Sequence, residues 1–494
     1  MLAWTIYLSF LGAVAVWLVG PQRAGFARII ALAISLAALA CAIGGSVGLK
    51  PGQVNEIAHA IWIPQLGISY FLAADGISST LVILTGLAAV AGVLFSWNIA
   101  RRTNEFFALY LALIGAVFGV FLSFDLFLLF VFYEIAIIPK YFLIAIWGST
   151  RKEYGAMKLA LYSFIGSAMV LIALLTIYVL SPVKSFNLLE LTESGVIAAI
   201  GSNQAWLFPL TFVGFAILAG LWPFHTWAPA GHVAAPTAAS MLLAGVVMKL
   251  GAYGALRVAM TLFPEGLKLW QSTFAALAVV GIIYGAGVAL TQNDFKFVIG
   301  YSSVSHMGFV ILGLMSLTTI GLSGAVLQMF SHGIIAGLLF AVVGRMLYER
   351  THSRDLAHLE RAGLGRSLPF VSIVFLLACL ASMGFPGFSG FIAEVSILIG
   401  SWQQLPALTI LAALGVLVGV GFTLRALIKS FYSPHPVELA GTHAPSYEPI
   451  TLPEKAGAIL LLACTIVIGI FPRLLFDLIH PAMQQEMFRR LVSG

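Results

Sequence analysis

Residues 128–148 read LLFVFYEIAIIPKYFLIAIWG. These 21 residues, at a helical rise of about 1.5 Å each, reach across the roughly 30 Å of a bilayer's hydrocarbon core. Glu134 and Lys140 are the only charged residues in the stretch. In hydrocarbon every backbone N–H and C=O has to be satisfied inside the segment, so an apolar run of this length is read as a membrane-spanning helix.

The rest of the chain repeats this pattern. Of 494 residues, 61% are apolar and 9% charged, where a soluble domain would carry about a quarter charged. That balance excludes a secreted or cytosolic enzyme and a nucleic-acid binder. The net charge of +6 is not a phosphate-binding patch, because the basic residues sit in short loops between apolar runs. Cys41, Cys379 and Cys464 lie far apart inside apolar segments, with no His or Cys at ligand spacing, so neither disulfide nor metal is expected.

Reading runs between polar breaks gives an all-α, polytopic membrane protein of about fourteen transmembrane helices in one integral-membrane domain. Helices 1–3 fall at 1–97, a first group at 105–260, a second at 270–430 and a last helix at 455–475. Sixteen Lys and Arg residues fall in the loops after odd-numbered spans and seven on the opposite side; Lys140 and Lys249 lie inside spans. The bias puts the richer side in the cytoplasm and both termini outside. Span seven ends in Gly220-Leu-Trp-Pro-Phe-His225, and span twelve is interrupted by Gly384-Phe-Pro-Gly-Phe-Ser-Gly390. Helices four to eight and nine to thirteen then read as two inverted five-helix repeats, with helices 7 and 12 broken where backbone lines a polar cavity.

Ionisable groups inside such spans are costly, about 2.5 to 3.5 kcal/mol on insertion scales, and so demand a reason. Glu134 reads as a carboxylate that gains and loses a proton, or as a hydrogen bond joining two helices. Lys249, in MLLAGVVMKLGAYGALRV, is too deep to reach water and reads as a proton carrier or as the counter-ion of a buried carboxylate. His306 and His332 are the side chains best suited to relay protons near neutral pH, with Ser302, Ser303, Ser305 and Ser331 supplying hydroxyls for a wet path. Glu394 follows the second break and reads as a proton exchanger or as a cap on a half-helix N-terminus. His225 and His232 read as loop-packing residues. Lys140 either reaches back toward Glu134, directly or through water, across the kink expected from Pro139, or snorkels to the interface.

Several stretches carry a family resemblance. EIAIIPKYFLIAIWG (134–148), WPFHTWAPAGHVAAPTAASMLLAGVVMKLGAYGALR (222–257), FKFVIGYSSVSHMGFVILG (295–313), QMFSHGIIAGLLFAVVGRMLYERTHSRD (328–355) and GFPGFSGFIAEVSILIGS (384–401) resemble the antiporter-like subunits of respiratory complex I. The likeness is greatest to the subunit M family of bacterial NADH:quinone oxidoreductase, and runs in order over about residues 65 to 430. The resemblance implies a fourteen-helix fold of inverted repeats in the bacterial inner membrane. It implies proton translocation through half-channels joined at mid-membrane, with Glu134, Lys249, His306, His332 and Glu394 in the family's places. It also implies other membrane-arm subunits as partners, holding the NADH, FMN, iron-sulfur and quinone sites, with no cofactor in this chain.

The chain departs from the family at three points. A lysine usual in the first broken helix is replaced by Leu218, acidic residues usual in the following segment are Ala230 and Ala234, and Lys140 stands where an apolar residue is usual. These changes imply a divergent or duplicated copy. Competing readings are a membrane subunit of a related cation/proton antiporter or membrane-bound hydrogenase, and a structural paralogue that only spaces a membrane arm.

Overall fold

The apolar runs have only the helix open to them in hydrocarbon, and helix occupies each of the fourteen expected segments. The computed structural model describes residues 1–433 and 447–492. Among the described residues, twelve helical segments are long and apolar enough to cross a membrane by length and composition. The two remaining expected segments are α1 (Ala3–Leu18) and the interrupted pair described below as α14 and α15.

In chain order the helices after α1 are α2 (Ala24–Val47), α3 (Gly76–Phe95), α4 (Thr103–Leu122), α5 (Leu126–Ile135), α6 (Ile137–Trp147) and α7 (Lys152–Leu180). Next come α8 (Gln204–Ala219), α9 (Trp227–Ala234), α10 (Thr237–Met260), α11 (Pro264–Thr291), α12 (Phe295–Met315) and α13 (Thr319–Thr351). The chain ends with α14 (Pro369–Ser382), α15 (Ser389–Trp402), α16 (Pro406–Phe431), α17 (Leu452–Ile470), α18 (Arg473–Met483) and α19 (Glu486–Val492).

Aspartates start three of these helices. Asp75 accepts from the amides of Ile77 and Ser78 at the head of α3, Asp125 from Phe127 and Leu128 at α5, and Asp294 from Lys296 and Phe297 at α12. Each satisfies amides that a helix start leaves without partners.

Burial sorts the bundle. In α10 and α13 every residue of the most apolar window is buried, whereas in the α2 and α16 segments only 28% are. The first two helices are the core; the other two are its rim. Lys249 and His332 therefore sit on the two innermost helices.

Both helices also depart from α geometry. Leu243–Val247 and Ala255–Met260 in α10, and Val342–Leu347 in α13, are π-helical. Such wide turns cluster at functional positions.

The break between α5 and α6 falls at Ala136, between Glu134 and Lys140 and three residues before Pro139. Pro139 has no amide hydrogen, so the helical bond to the carbonyl of Ile135 cannot form. The interruptions between α8 and α9 and between α14 and α15 fall at Gly220 and at Gly384–Phe388, with Gly220, Gly384 and Gly387 all at positive φ.

One short β element accompanies the helices of this all-α bundle. Residues 55–74, read as part of a polar connection, form an antiparallel hairpin of β1 (Asn55–Ile63) and β2 (Ile68–Ala74), with Asn55 opposite Ala74 and Ile61 opposite Ser69. Ile57, Ile61, Trp62, Ile63, Tyr70 and Phe71 are residues that favour a pleated surface, and neither run is long enough to span a bilayer as a helix. Asp125 ties the hairpin to the bundle by accepting from the amide and hydroxyl of Ser69 at 2.8 and 3.1 Å.

One correction concerns Arg257, counted among the loop charges. It lies inside α10, its side chain fully buried, and donates to both oxygens of Asp75 at 2.7 Å.

Candidate functional site

Lys249 arises in α10 just past the first π-helical turn. Its Nζ donates to the carbonyl of Ala244, within that turn, and lies 2.9 Å from Nδ1 of His332 on α13. No carboxylate pairs with it among the described residues, so the counter-ion reading of Lys249 does not hold. A fully buried lysine facing an imidazole can instead hand a proton to it and take one back.

From His332 the chain of groups continues to α12. The rings of His332 and His306 stand 5.4 Å apart between centroids. Both line a cavity of about 10 Å3 together with Gln328, Ser331, Ser382 and Glu394, a volume that admits about one water molecule. His306 Nδ1 then lies 3.1 Å from Oε1 of Glu394 on α15. Gln328 Nε2 stands 3.5 Å from both of these atoms, and Ser382 Oγ lies 3.4 Å from His306 Nε2.

Four sequence-predicted residues thus come together from four helices: Lys249, His332, His306 and Glu394. Nitrogen meets nitrogen, a water-sized gap follows, and nitrogen meets oxygen. Each member carries an amine, an imidazole or a carboxyl group, all of which can hold a proton. Glu394 does not cap α15, as its alternative reading had it; its carboxylate faces His306.

The break before α15 is what makes room for that carboxylate. Gly384 sits at φ +68°, and a Cβ there would lie 2.8 Å from Glu394 Oε2. Gly384→Ala is therefore expected to destabilise the protein by about 1–2 kcal/mol from the left-handed backbone alone. It should also displace Glu394 from His306. Thermal unfolding checks the first effect, and a variant as stable as the parent would contradict the packing described.

Glu134 and Lys140 stand apart from this cluster. Glu134 Oε1 and Lys140 Nζ are both buried without a hydrogen-bond partner, as is the hydroxyl of Tyr133. Lys140 is 1% exposed, so it does not snorkel to the interface, and it makes no direct ion pair with Glu134. The two side chains lie on opposite sides of the break at Ala136.

Two other expectations change. Ser302 and Ser303 donate to the carbonyl of Ile299 and Ser305 to that of Ile282, so of the four serines only Ser331 faces the cavity. Their spacing from His306 could not reveal this, because a helical hydroxyl readily bonds its own backbone. His232 lies in α9 rather than in a loop, its ring 5.0 Å from that of Phe340 in α13, whereas His225 lies in a short turn within the break between α8 and α9, its ring 5.2 Å from that of Tyr284.

Gln328 and Ser382 were not singled out from the sequence. Gln328 lies four residues before His332, one turn away on the same face, and that spacing was a usable signal. Ser382 ends α14 at the break and only the fold brings it to His306.

Comparison with known proteins agrees with this architecture. Residues 123–421 match the family model described as NADH:quinone oxidoreductase/Mrp antiporter, TM. The chain is 34% identical to NADH-quinone oxidoreductase subunit M of Rhodobacter capsulatus over 94% of its own length and 91% of the relative's. It is also 34% identical to the Escherichia coli subunit M over 98% and 97%. Among solved structures, respiratory complex I from Thermus thermophilus contains a chain that superposes with a TM-score of 0.88 at 27% identity, covering all of both chains. A chain of the Mrp complex from Dietzia shares the fold with a TM-score of 0.85 at 21% identity, covering 100% and 99%. With residues 123–421 matching the family model and near-full-length relatives at 34% identity, this chain belongs to the NADH:quinone oxidoreductase/Mrp antiporter transmembrane family.

Proposed function

We infer that the chain is a proton-translocating membrane subunit of a NADH:quinone oxidoreductase. The observation that carries the reading is the buried succession Lys249, His332, His306, Glu394, with contacts of 2.9 and 3.1 Å at its two ends and a water-sized cavity in its middle. Proton transfer along it needs only short hops between groups that can each hold a proton. Its direction would be set by whatever alters the charge at one end.

Electron transfer belongs to partner subunits in this reading. NADH, FMN, iron-sulfur clusters and quinone would sit in them, and this chain would receive its driving force through contacts with neighbouring membrane-arm subunits. It would lie in the bacterial inner membrane with both termini outside, as its distribution of Lys and Arg implies. Residues 105–260 and 270–430 would be the two inverted units, with the helix interruptions at Gly220 and Gly384 in matching places.

Glu134 would be the proton-binding group of the first unit, with Lys140 as the cation that governs its charge. Support comes from their isolation: a buried carboxylate oxygen and a buried ammonium, neither hydrogen-bonded, flank a helix break. An unpaired buried charge is far too costly to stand alone, and water at the break, beside the carbonyl of Ile135 to which Pro139 cannot donate, would join them.

The test is protons translocated per NADH oxidised by the assembled complex in closed membrane vesicles. Glu134→Gln keeps size and hydrogen bonding but removes ionisation, and is expected to lower the ratio while the complex still assembles. Lys140→Met is expected to lower it equally. An unchanged ratio in assembled Glu134→Gln complex would remove Glu134 from the pathway; an unchanged ratio in Lys140→Met alone would remove only the lysine.

A further inference from the structure

The cavity shared by His306, His332 and Glu394 has a wall that the succession of ionisable groups does not use. Ser331 lines it. Its Oγ lies 2.7 Å from Oγ of Ser389, and that oxygen lies 2.9 Å from Oγ1 of Thr465. The three residues come from α13, the first position of α15 and α17, and all are fully buried.

Hydroxyls in apolar helices ordinarily give their hydrogen to the carbonyl one turn back. Thr409, Thr423 and Ser430 do so here. Ser331, Ser389 and Thr465 bond to one another instead, in an unbranched line leading out of the cavity. Thr465 is five residues from Ile470, where α17 ends, about 7.5 Å along the helix axis. Beyond that point α18 begins at Arg473.

We propose that Ser331, Ser389 and Thr465 form a hydroxyl relay that carries protons between the central cavity and the Ile470 end of α17. This rests on the reading of the cavity as part of the proton pathway, and gives that pathway an outlet. A hydroxyl is at once a donor and an acceptor, so it can take a proton on one side and release one on the other. For outward transfer, a proton held by an imidazolium of the cavity or by the Glu394 carboxylic acid passes through the cavity water to Ser331 Oγ. A new O–H bond forms there as the original Ser331 O–H breaks and its hydrogen passes to Ser389. Ser389 gives its own hydrogen to Thr465, and Thr465 releases one to a short file of waters that would span the roughly 7.5 Å remaining to the end of α17. One proton enters, one leaves and no electron moves; rotation of the three hydroxyls resets the line.

The alternative role is mechanical, three hydroxyls holding three helices together. Thr465→Val separates the two, since it keeps the branched shape and removes the hydroxyl. The readout is again protons translocated per NADH oxidised by assembled complex in closed vesicles, with Glu394→Gln measured alongside. The relay predicts that Thr465→Val assembles and that its ratio falls to that of Glu394→Gln, whereas Thr465→Ser, which retains a hydroxyl, keeps the parent ratio. An assembled Thr465→Val complex with the parent ratio overturns the relay. Ser389→Ala carries the same expectation and decides the matter if Thr465→Val fails to assemble. An unchanged ratio in Glu394→Gln would instead refute the reading of the cavity itself.

Discussion

Lys249→Met is expected to slow proton translocation through this chain by about 100-fold, the low end of what a positioned proton-transfer group contributes. Methionine fits the space at little cost in packing. What is lost is, among the described residues, the only side-chain partner of His332 Nδ1, 2.9 Å away, and leaving that buried nitrogen without a partner adds about 1–3 kcal/mol of destabilisation. Because Lys249 has no carboxylate partner among the described residues, its removal strands no opposite charge, and the complex should still assemble. Translocation is measured as the proton gradient that closed vesicles build at a matched rate of NADH oxidation. A gradient equal to the parent's, with Met at 249, would take Lys249 out of the pathway.

Arg257→Met should have the largest effect on stability. The Arg257 guanidinium donates to both oxygens of Asp75 at 2.7 Å, with neither side chain exposed. It also lies 4.9 to 5.4 Å from the ring centres of Phe124, Tyr253 and Phe488. Gln485 adds a hydrogen bond to Asp75 at 3.3 Å. This pair fastens the head of α3, the far end of α10 and the C-terminal α19 together. Removing one member leaves a buried, uncompensated carboxylate, which costs about 3–5 kcal/mol. The paired change Asp75→Asn with Arg257→Met leaves no lone charge and keeps a side chain able to cap α3, so most of the loss should return. Complex content of the membranes and the midpoint of thermal unfolding report both effects; a single variant as stable as the parent would contradict the account of this pair.

The bundle was legible from Leu128–Gly148 and its thirteen counterparts because hydrocarbon leaves the backbone so few choices. Breaks at Gly220 and Gly384 were legible for a related reason: glycine and proline punctuate helices wherever they fall. The hairpin at 55–74 was not, since it falls between two spans and strand pairing is a contact between separate segments. At the site, the cost of burying charge singled out Lys249, His332, His306 and Glu394 one by one. Their order in space depends on how α10, α12, α13 and α15 cross, which no local pattern states.

The same limit explains the errors. Arg257 was read as a loop charge because its partner Asp75 lies 182 residues away, beyond any local signal. Ser302, Ser303 and Ser305 were read as part of a wet path because spacing alone does not show that each would bond a carbonyl. Of the two readings of Lys140, the one that took it to the surface fails, because its ammonium is buried; toward Glu134 it makes no direct hydrogen bond.

The central claim is that Lys249, His332, His306 and Glu394 form one pathway in series, and protons translocated per NADH oxidised test it most directly when measured on Lys249→Met, Glu394→Gln and the two combined. Independent sites give additive effects, whereas members of one pathway do not. Each single variant is expected to show the same lowered ratio in assembled complex, and the double variant to lower it no further. A parent ratio in either single variant, or shortfalls that add in the double, would contradict the account.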